Sequence, residues 1–478
     1  MNQPETASVI SSKTEVSSAE YFAQRQLKQG TVGWLLLIGL GVAYVISGDF
    51  AGWNFGIAQG GWGGMFIATA LAAIMYLCLC LSMSEMSTMM PTAGGGYSFA
   101  RAAFGPFGGY LTGTAILIEY AIAPAAIAVF IGGYCESLFG INGWMIYLAC
   151  YAIFMGIHLK GAGEALKIMF AITLVAAIAL IVFIVAMIPH FNAQNLFDIP
   201  VGTGVGASLF LPHGYLGIWA AVPFAIWFFL AVEGVPLAAE EAKDPAKSLP
   251  RGLIGAMLIL TAFAMLILFL GAGAAGASTL QNSGAPLVDA LVKVYGTNTW
   301  LATFVNFVGL AGLIASFFSI IYAYSRQIFA LSRAGYLPTS LSLTNKNKAP
   351  YLAIIIPGII GFLLSLTKEG DSLILIAVFG ATISYVLILL SHIKLRLSKP
   401  DMPRPYKTPG GIVTSSIALI LAVAAVVAGF VVNPKVWFIA AAIYIVFIAY
   451  FLFYSRYHLV KGTPEEEFAN IKAAEQEL

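Results

Sequence analysis

Long apolar runs recur along this chain from about Thr31 to Tyr454, with only short polar segments between them. The hydrocarbon core of a bilayer is about 30 Å thick, and a helix crosses it with about 20 apolar residues. Lipid offers no partner to backbone N–H and C=O groups, so runs of this length cross it as helices. Charged residues make up 10% of the chain, against about 25% in a typical soluble domain. We therefore predict an all-α polytopic membrane protein.

Twelve runs are long enough to be counted as membrane spans. They lie near residues 32–55, 62–84, 106–134, 143–158, 167–189, 215–235, 252–275, 299–325, 351–367, 371–393, 411–432 and 434–455. This pattern predicts an N-terminal tail (1–31), a transport core (32–393), a loop followed by spans 11 and 12 (394–455), and a C-terminal tail (456–478).

The distribution of basic residues predicts the orientation. With both termini in the cytoplasm, every Lys and Arg except Lys293, Lys368 and Lys435 lies on the cytoplasmic side. Cytoplasmic loops carry an excess of Lys and Arg, so the opposite orientation is disfavoured. The first 30 residues show no cleavable signal peptide. We predict a multi-pass protein of the inner cell membrane with cytoplasmic termini and a lipid bilayer as its surroundings.

Several functional classes are disfavoured by composition. A net charge of +2 provides no basic face for nucleic acid. The four cysteines, Cys78, Cys80, Cys135 and Cys150, lack the spacing of a metal site and are interpreted as packing residues. No His, Cys or Ser set has the spacing of a nucleophile and its base, so we predict no enzyme, and neither metal nor cofactor.

Asp49 is the most informative ionisable residue, because it lies in the apolar run GVAYVISGDFAGWN. A charged residue inside a span costs roughly 2.5–3.5 kcal/mol on insertion scales and is a functional candidate by default. Ser47, Gly48 and Gly52 surround it, which favours an opened helix next to a cavity. A carboxylate there can bind a cation directly or through water. Alternatively it caps the second half of a broken helix.

Two further acidic residues occupy apolar runs. Glu119, midway along the third span, is either a second anion of the cation site or a proton carrier, or else a hydrogen-bonded packing residue. Glu233, near the cytoplasmic end of the sixth span, is either a proton-sensitive latch or a partly hydrated structural carboxylate. The fifth span has no ionisable residue between Phe170 and Ile188, so it supplies no lysine.

Aromatic residues crowd the sixth span, where a ring face can hold an ammonium group at about 0.5–2 kcal/mol. Phe224 and Phe228 are candidates for such a contact, and Trp227 for a gate over a cavity, although packing is the commoner role of such rings. In the eighth span, Ser316 and Ser319 are hydroxyls that could line a site or hold a monovalent cation, with helix packing again the alternative.

Four polar segments resemble the amino acid, polyamine and organocation transporter superfamily. They are SEMSTMMPTAGGGYSFARAAFGPFGGYLTG after span 2, AEEAKDPAKSLPRG after span 6, SRQIFALSRAGYLP at the end of span 8, and KLRLSKPDMPRPYKTPGG after span 10. This resemblance implies the fold of the leucine transporter: spans 1–5 and 6–10 as inverted repeats, helices 1 and 6 broken at mid-membrane, and two extra C-terminal helices.

Two core segments resemble the ethanolamine permease subfamily more narrowly, namely ISGDFAGWNFGIAQGGWGGM and GTAILIEYAIAPAAIAVFIGGY. In amino acid transporters of the superfamily, the first helix break holds the substrate carboxylate. Here the matching stretch is Ser47, Gly48, Asp49 and Phe50, in which the aspartate would repel a carboxylate, and Ile46 before it is a further candidate for substrate contact. The resemblance further implies that Trp227 closes over substrate and that Glu233 matches a carboxylate linked to pH response.

The sequence therefore predicts a permease that imports ethanolamine or a related small amine cation by alternating access between spans 1, 3, 6, 8 and 10. A coupled proton or sodium ion is an open alternative to uniport. Two other interpretations remain: an amino acid or polyamine permease or exchanger of the same superfamily, in which Asp49 only caps a helix, and an amine sensor that binds without transport.

Overall fold

The regular secondary structure is helical, with no β-strand among the residues described in this computed structural model, which are 30, 32–296 and 300–460. Side chains at 162–166 and 431–432 are not described. Most of the predicted N-terminal tail and residues 461–478 of the predicted C-terminal tail lie outside the described residues. The helices are α1 (Trp34–Val45), α2 (Ser47–Phe50), α3 (Asn54–Met89), α4 (Gly96–Phe139), α5 (Trp144–Leu159), α6 (Ala162–Met187), α7 (Gly214–Trp227), α8 (Pro245–Ala275), α9 (Ala277–Leu280), α10 (Pro286–Tyr295), α11 (Trp300–Arg333), α12 (Tyr351–Ser365), α13 (Gly370–Ser398), α14 (Ile412–Val432) and α15 (Pro434–Phe453).

Within the described residues, nine helices are long and apolar enough to cross a bilayer. Three shorter apolar helices, α1, α5 and α12, coincide with the predicted spans 1, 4 and 9. An all-α polytopic membrane protein is therefore confirmed, while the count of twelve spans and the inverted repeat stay predictions.

Three helices run further than predicted at the ends that carry the loop motifs. Span 2 was expected to end at residue 84, span 8 at 325 and span 10 at 393, but α3 reaches Met89, α11 Arg333 and α13 Ser398. The predicted domain boundary at 393/394 thus falls inside a helix. The expected ends lay just before charged residues, and the structure pairs several of those charges. The helices therefore continue beyond the apolar runs that define the predicted spans.

Glycines at positive φ bend two of the long helices. Gly61 (φ 67°) kinks α3 and Gly105 (φ 78°) kinks α4. These are the points where spans 2 and 3 were predicted to begin. A residue with a side chain rarely adopts this conformation, so each glycine sets the angle at which its span enters the membrane.

The first and sixth spans are both interrupted. After α2, Ala51 is extended and Gly52 has a φ of 97°, and α3 starts at Asn54. After α7, Ala231 takes a left-handed φ of 77° and a 3₁₀ helix follows over Val232–Glu241. Backbone groups released at such points need partners from neighbouring helices or a cavity. Both interruptions are buried, and they position the candidate site.

Candidate substrate site

The two interruptions lie directly against each other, because Gly48 has no side chain. A Cβ at Gly48 would lie 2.5 Å from the carbonyl oxygen of Trp227. The Trp227 indole N–H donates to the Ala51 carbonyl oxygen at 3.0 Å. The tryptophan proposed as a gate is therefore fixed to the opened backbone of the first span, with its ring edge toward Phe130.

Side chains from α4 and α11 hold the short helix α2 in place. The Ser47 N–H donates to Ser316 Oγ at 2.9 Å, and the Ser316 hydroxyl donates to the Ala43 carbonyl at 2.7 Å. The Tyr134 hydroxyl donates to the Phe50 carbonyl at 2.8 Å. Ser316 thus bridges the backbones on both sides of Ile46, and its hydroxyl is occupied by this role.

Asp49 is fully buried and isolated. Its side chain has 0% relative exposure, and neither carboxyl oxygen has a hydrogen-bond partner among the described residues. The capping alternative requires accepted N–H bonds, and Asp49 accepts none from the described residues. A buried carboxyl without a partner is rare and is a functional candidate.

Glu119 and Glu233 lie next to each other. Their side chains interact, and the backbone of Ala231 and the hydroxyl of Tyr385 lie beside them. None of their four carboxyl oxygens has a well-aligned hydrogen-bond partner in the described residues. Glu233 is 3% exposed, and its roles as a latch or as a structural carboxylate both stay predictions. Glu119 forms an acidic pair with Glu233, and its role as a second anion of the cation site stays a prediction.

A close helix crossing lies beside this acidic pair. A Cβ at Gly380 on α13 would lie 2.8 Å from the Glu119 nitrogen and 2.5 Å from the Ala115 carbonyl. Only glycine lets α13 approach the backbone of α4 so closely. The same helix carries Tyr385, whose hydroxyl shares a 2.7 Å hydrogen bond with that of Tyr76.

The remaining predicted residues are buried around the interruptions. Phe228 stacks on Trp53 at 5.6 Å between ring centroids, and Phe224 meets Phe55 edge-on at 6.0 Å. Ser319 donates to the carbonyl of Ser316 at 3.0 Å within its own helix. The Trp53 indole N–H has no partner among the described residues.

Sequence analysis assigned no role to the charges in the loop motifs, and the structure pairs them. Glu85 accepts from Arg404 Nε at 2.9 Å and from the Thr408 N–H at 2.7 Å, and it also pairs with Arg396. The motif after span 2 is thus bound to the motif after span 10. The sequence shows each charged residue, but the partner with which it pairs depends on the fold.

A second group of charges joins the other motifs. Glu241 pairs with Arg326 at 3.0 Å, and Glu240 pairs with Arg333 at 2.7 Å. Glu240 also accepts from the N–H of Ala93, in the stretch TAGGGYS, at 2.9 Å. The three glutamates of the motifs therefore each pair with an arginine, whereas the three acidic residues of the core pair with no basic side chain among the described residues.

Similarity to known proteins agrees with this architecture. The family described as amino acid permease matches residues 6–452. The chain belongs to this family. The structure of the permease, with its apolar helices, is that of a multi-pass membrane protein, and its family members are transporters rather than enzymes.

Relatives of the permease carry different names. The branched-chain amino acid permease BcaP of Bacillus subtilis is 27% identical over 413 residues, or 81% of this chain and 84% of that protein. The methylthioribose transporter of the same species is 26% identical over 391 residues, 78% of this chain and 81% of that protein. An uncharacterized transporter of Rhizobium meliloti is 27% identical over 392 residues, 80% and 83% of the two chains. At this distance the family does not fix the substrate.

Proposed function

We propose that the permease is a secondary transporter that imports ethanolamine, or a closely related small amine cation, by alternating access. The observation that carries this proposal is the buried carboxyl of Asp49, which has no partner in the described residues. The rings of Trp227 and Phe228 lie at the same two interruptions, and aromatic ring faces suit an ammonium group. An ammonium ion would supply both the missing hydrogen bonds and the counter-charge.

The charge balance of the core favours a cation over an amino acid zwitterion. A substrate carboxylate about 4 Å from a charged Asp49 would cost on the order of 4 kcal/mol at an effective dielectric of about 20. That corresponds to roughly three decades in affinity. Arg326 and Arg333 are each already paired with a glutamate, so neither is available to offset it.

In this proposal the predicted residues keep distinct roles. The substrate site comprises Ile46, Ser47, Gly48, Asp49, Phe50, Glu119, Phe224, Trp227, Phe228, Ser316 and Ser319. Trp227 is the gate, and Glu119 with Glu233 is the site for a coupled proton or sodium ion. Without coupling, an inside-negative potential still favours cation entry by about 2.3 kcal/mol per 100 mV. The distribution of basic residues predicts that the protein lies in the inner cell membrane with both termini on the cytoplasmic side.

The second candidate is an amino acid or polyamine permease or exchanger, which the name of BcaP favours. It requires Asp49 to be neutral or remote from the substrate carboxylate. A third, non-transporting candidate is an amine sensor, which would bind substrate without moving it.

Uptake into proteoliposomes separates these candidates. We expect labelled ethanolamine to accumulate under an inside-negative potential and leucine not to accumulate. Asp49→Asn should abolish ethanolamine uptake, because it keeps the shape and removes the counter-charge. Asp371→Asn is the matched control, since that aspartate is exposed in the first turn of α13. Leucine uptake without ethanolamine uptake would establish the amino acid permease, and amine binding without flux would establish the sensor.

A further inference from the structure

A groove of about 580 Å³ opens on the outer surface of the bundle, between the starts of α1 and α8 and the loop after α13. Trp34, Lys247, Arg251 and Tyr406 contribute to it at one end of these helices. The basic-residue distribution assigns this end to the cytoplasm. The groove is separate from the acidic core and belongs to the membrane–water boundary.

The groove is cationic at its water-facing end. Lys247 and Arg251 lie one turn apart in the first turns of α8, where backbone N–H groups also carry positive partial charge. Lys247 forms an exposed ion pair with Asp244 at 3.7 Å. Arg251 is exposed and has no ion-pair partner within the described residues. At least one full positive charge therefore remains uncompensated there.

Further along the same helices the groove becomes apolar. Ile38, Ile254 and Leu258 line it, and Leu258 is 56% exposed. Gly255 has no side chain, so α8 packs against Ile38 of α1 and leaves a shallow floor. Trp34 is 47% exposed at the start of α1, the depth at which tryptophans meet lipid headgroups. Positive charge, an aromatic ring and an apolar floor follow one another along the groove. This order matches the phosphate, the glycerol region and the acyl chain of a phospholipid.

We propose that this groove binds one anionic glycerophospholipid of the adjacent leaflet, with its phosphate on Arg251 and Lys247 and an acyl chain along Ile38 and Leu258. A soluble anion would use the charges and leave the floor exposed. A zwitterionic lipid would cover the floor, but its ammonium group offsets the charge of its phosphate, so the groove would keep its net positive charge. An anionic phospholipid satisfies both, and basic residues near the bilayer surface bind such headgroups.

The position of the groove connects it to the substrate site. Its wall is α1, which continues through Ile46 into α2 with Asp49. A lipid bound along α1 therefore contacts the same helix whose interruption forms the candidate site. Lipid binding and transport are measured separately, so the failure of either leaves the other standing.

Phospholipid retention tests the proposal without reference to substrate. The full-length protein is reconstituted in phosphatidylethanolamine vesicles with or without phosphatidylglycerol, extracted in detergent, and its bound lipid counted by native mass spectrometry. We expect one retained phosphatidylglycerol. Combined Lys247→Gln and Arg251→Gln should weaken its binding roughly thirtyfold. Lys243→Gln is the control, because Lys243 is exposed near the same boundary but does not line the groove.

A photo-crosslinker in place of Leu258 identifies the occupant directly. A product with phosphatidylglycerol supports the proposal. Products with residues 1–29, with a second copy of the chain or only with phosphatidylethanolamine would overturn it, as would equal retention by the double variant and Lys243→Gln. Each variant is compared after its thermal melting in detergent has been shown to match the parent, and Ile254→Trp, which fills the groove, provides a second variant if the double variant does not fold.

Discussion

The acidic side chains of this permease differ in whether a basic side chain pairs with them. Glu85, Glu240 and Glu241 each contact an arginine, whereas the Asp49 carboxyl contacts no charge in the described part of the chain. Burying an unpaired charge is far more costly than burying a paired one. The paired carboxyls therefore contribute to holding the helices together. The unpaired ones are candidates for a functional role.

Neutralising the acidic pair should remove proton coupling if that pair carries it. We expect Glu119→Gln and Glu233→Gln each to flatten the response of uptake to an imposed pH gradient, while the response to voltage remains. The groups that face this pair are Tyr44, Tyr76, Cys80, Tyr120 and Tyr385. If uptake by the parent protein responds to voltage and not to a pH gradient, neither glutamate carries a coupled proton.

Adding one methyl group at Gly48 should disrupt the contact between the interruptions. Its Cβ would meet the Trp227 carbonyl oxygen at 2.5 Å, and backbone cannot move aside as a side chain can. We expect Gly48→Ala to lose uptake and to destabilise the protein by about 1–3 kcal/mol. Gly33→Ala is the control, because no atom lies within 4 Å of its Cβ position. Equal melting temperatures of the two variants would contradict this account.

At the scale of helices, the interruptions are stable because other helices supply the missing hydrogen bonds. The Ser316 hydroxyl forms hydrogen bonds with the backbone before and after Ile46, and the Tyr134 hydroxyl donates to the backbone at the end of α2. An opened helix in a bilayer depends on such partners, since lipid offers none. The conformation of the first span is therefore set by α4 and α11 as much as by its own residues.

Removing the Ser316 hydroxyl tests this dependence. Ser316→Ala leaves the Ser47 N–H and the Ala43 carbonyl without that partner, and an unsatisfied buried polar group costs about 1–3 kcal/mol. We expect a lower melting temperature and reduced uptake. Ser384→Ala is the matched control, because that buried hydroxyl bonds only to the Ala381 carbonyl of its own helix. A similar loss in both variants would mean that Ser316 has no special role.

Sequence reasoning identified individual helices and residues better than their pairings. Apolar length alone located most helices, and the glycines around Asp49 indicated an opened helix. The Glu119–Glu233 pair was missed, because it depends on how the segment after α7 packs against α4, and these segments are far apart in sequence. The ends of α3, α11 and α13 were missed because apolar length marks the membrane span, whereas the helix continues beyond it.

At the scale of the whole molecule, two groups of ion pairs join segments that are distant in the chain. Glu85 connects α3 to the loop before α14, and the pairs of Glu240 and Glu241 connect the end of the sixth span to α11. Both groups lie at the side assigned to the cytoplasm. These ion pairs therefore join helices at one face, and the proposed alternating access would have to loosen or carry them.

Glu85→Gln should destabilise the whole protein. It leaves Arg396 and Arg404 without their carboxylate, and breaking a buried pair from one side costs about 3–5 kcal/mol. Thermal melting in detergent measures the loss. Glu136→Gln is the control, since Glu136 is exposed and contacts only the Asn142 amide by hydrogen bond. An unchanged melting temperature in Glu85→Gln would show that this group of charges is dispensable.

The predicted orientation can be checked with cysteine substitutions. Val205→Cys lies at a position 85% exposed in the segment between α6 and α7, and Lys346→Cys lies in the exposed segment between α11 and α12. A membrane-impermeant maleimide should label the first on intact cells and the second only after lysis. The parent protein reports the background from its own cysteines. The reverse labelling pattern would place both termini outside.

The unpaired carboxyl of Asp49 also makes it possible to screen ligands by their effect on the melting temperature. A ligand that binds only the folded protein stabilises it, by about 2.7 kcal/mol at a concentration one hundred times its dissociation constant. Because Asp49 is buried and unsatisfied, its true ligand should raise the melting temperature of the parent protein and leave that of Asp49→Asn unchanged. A library of amines can therefore be ranked by melting alone, before any transport assay exists.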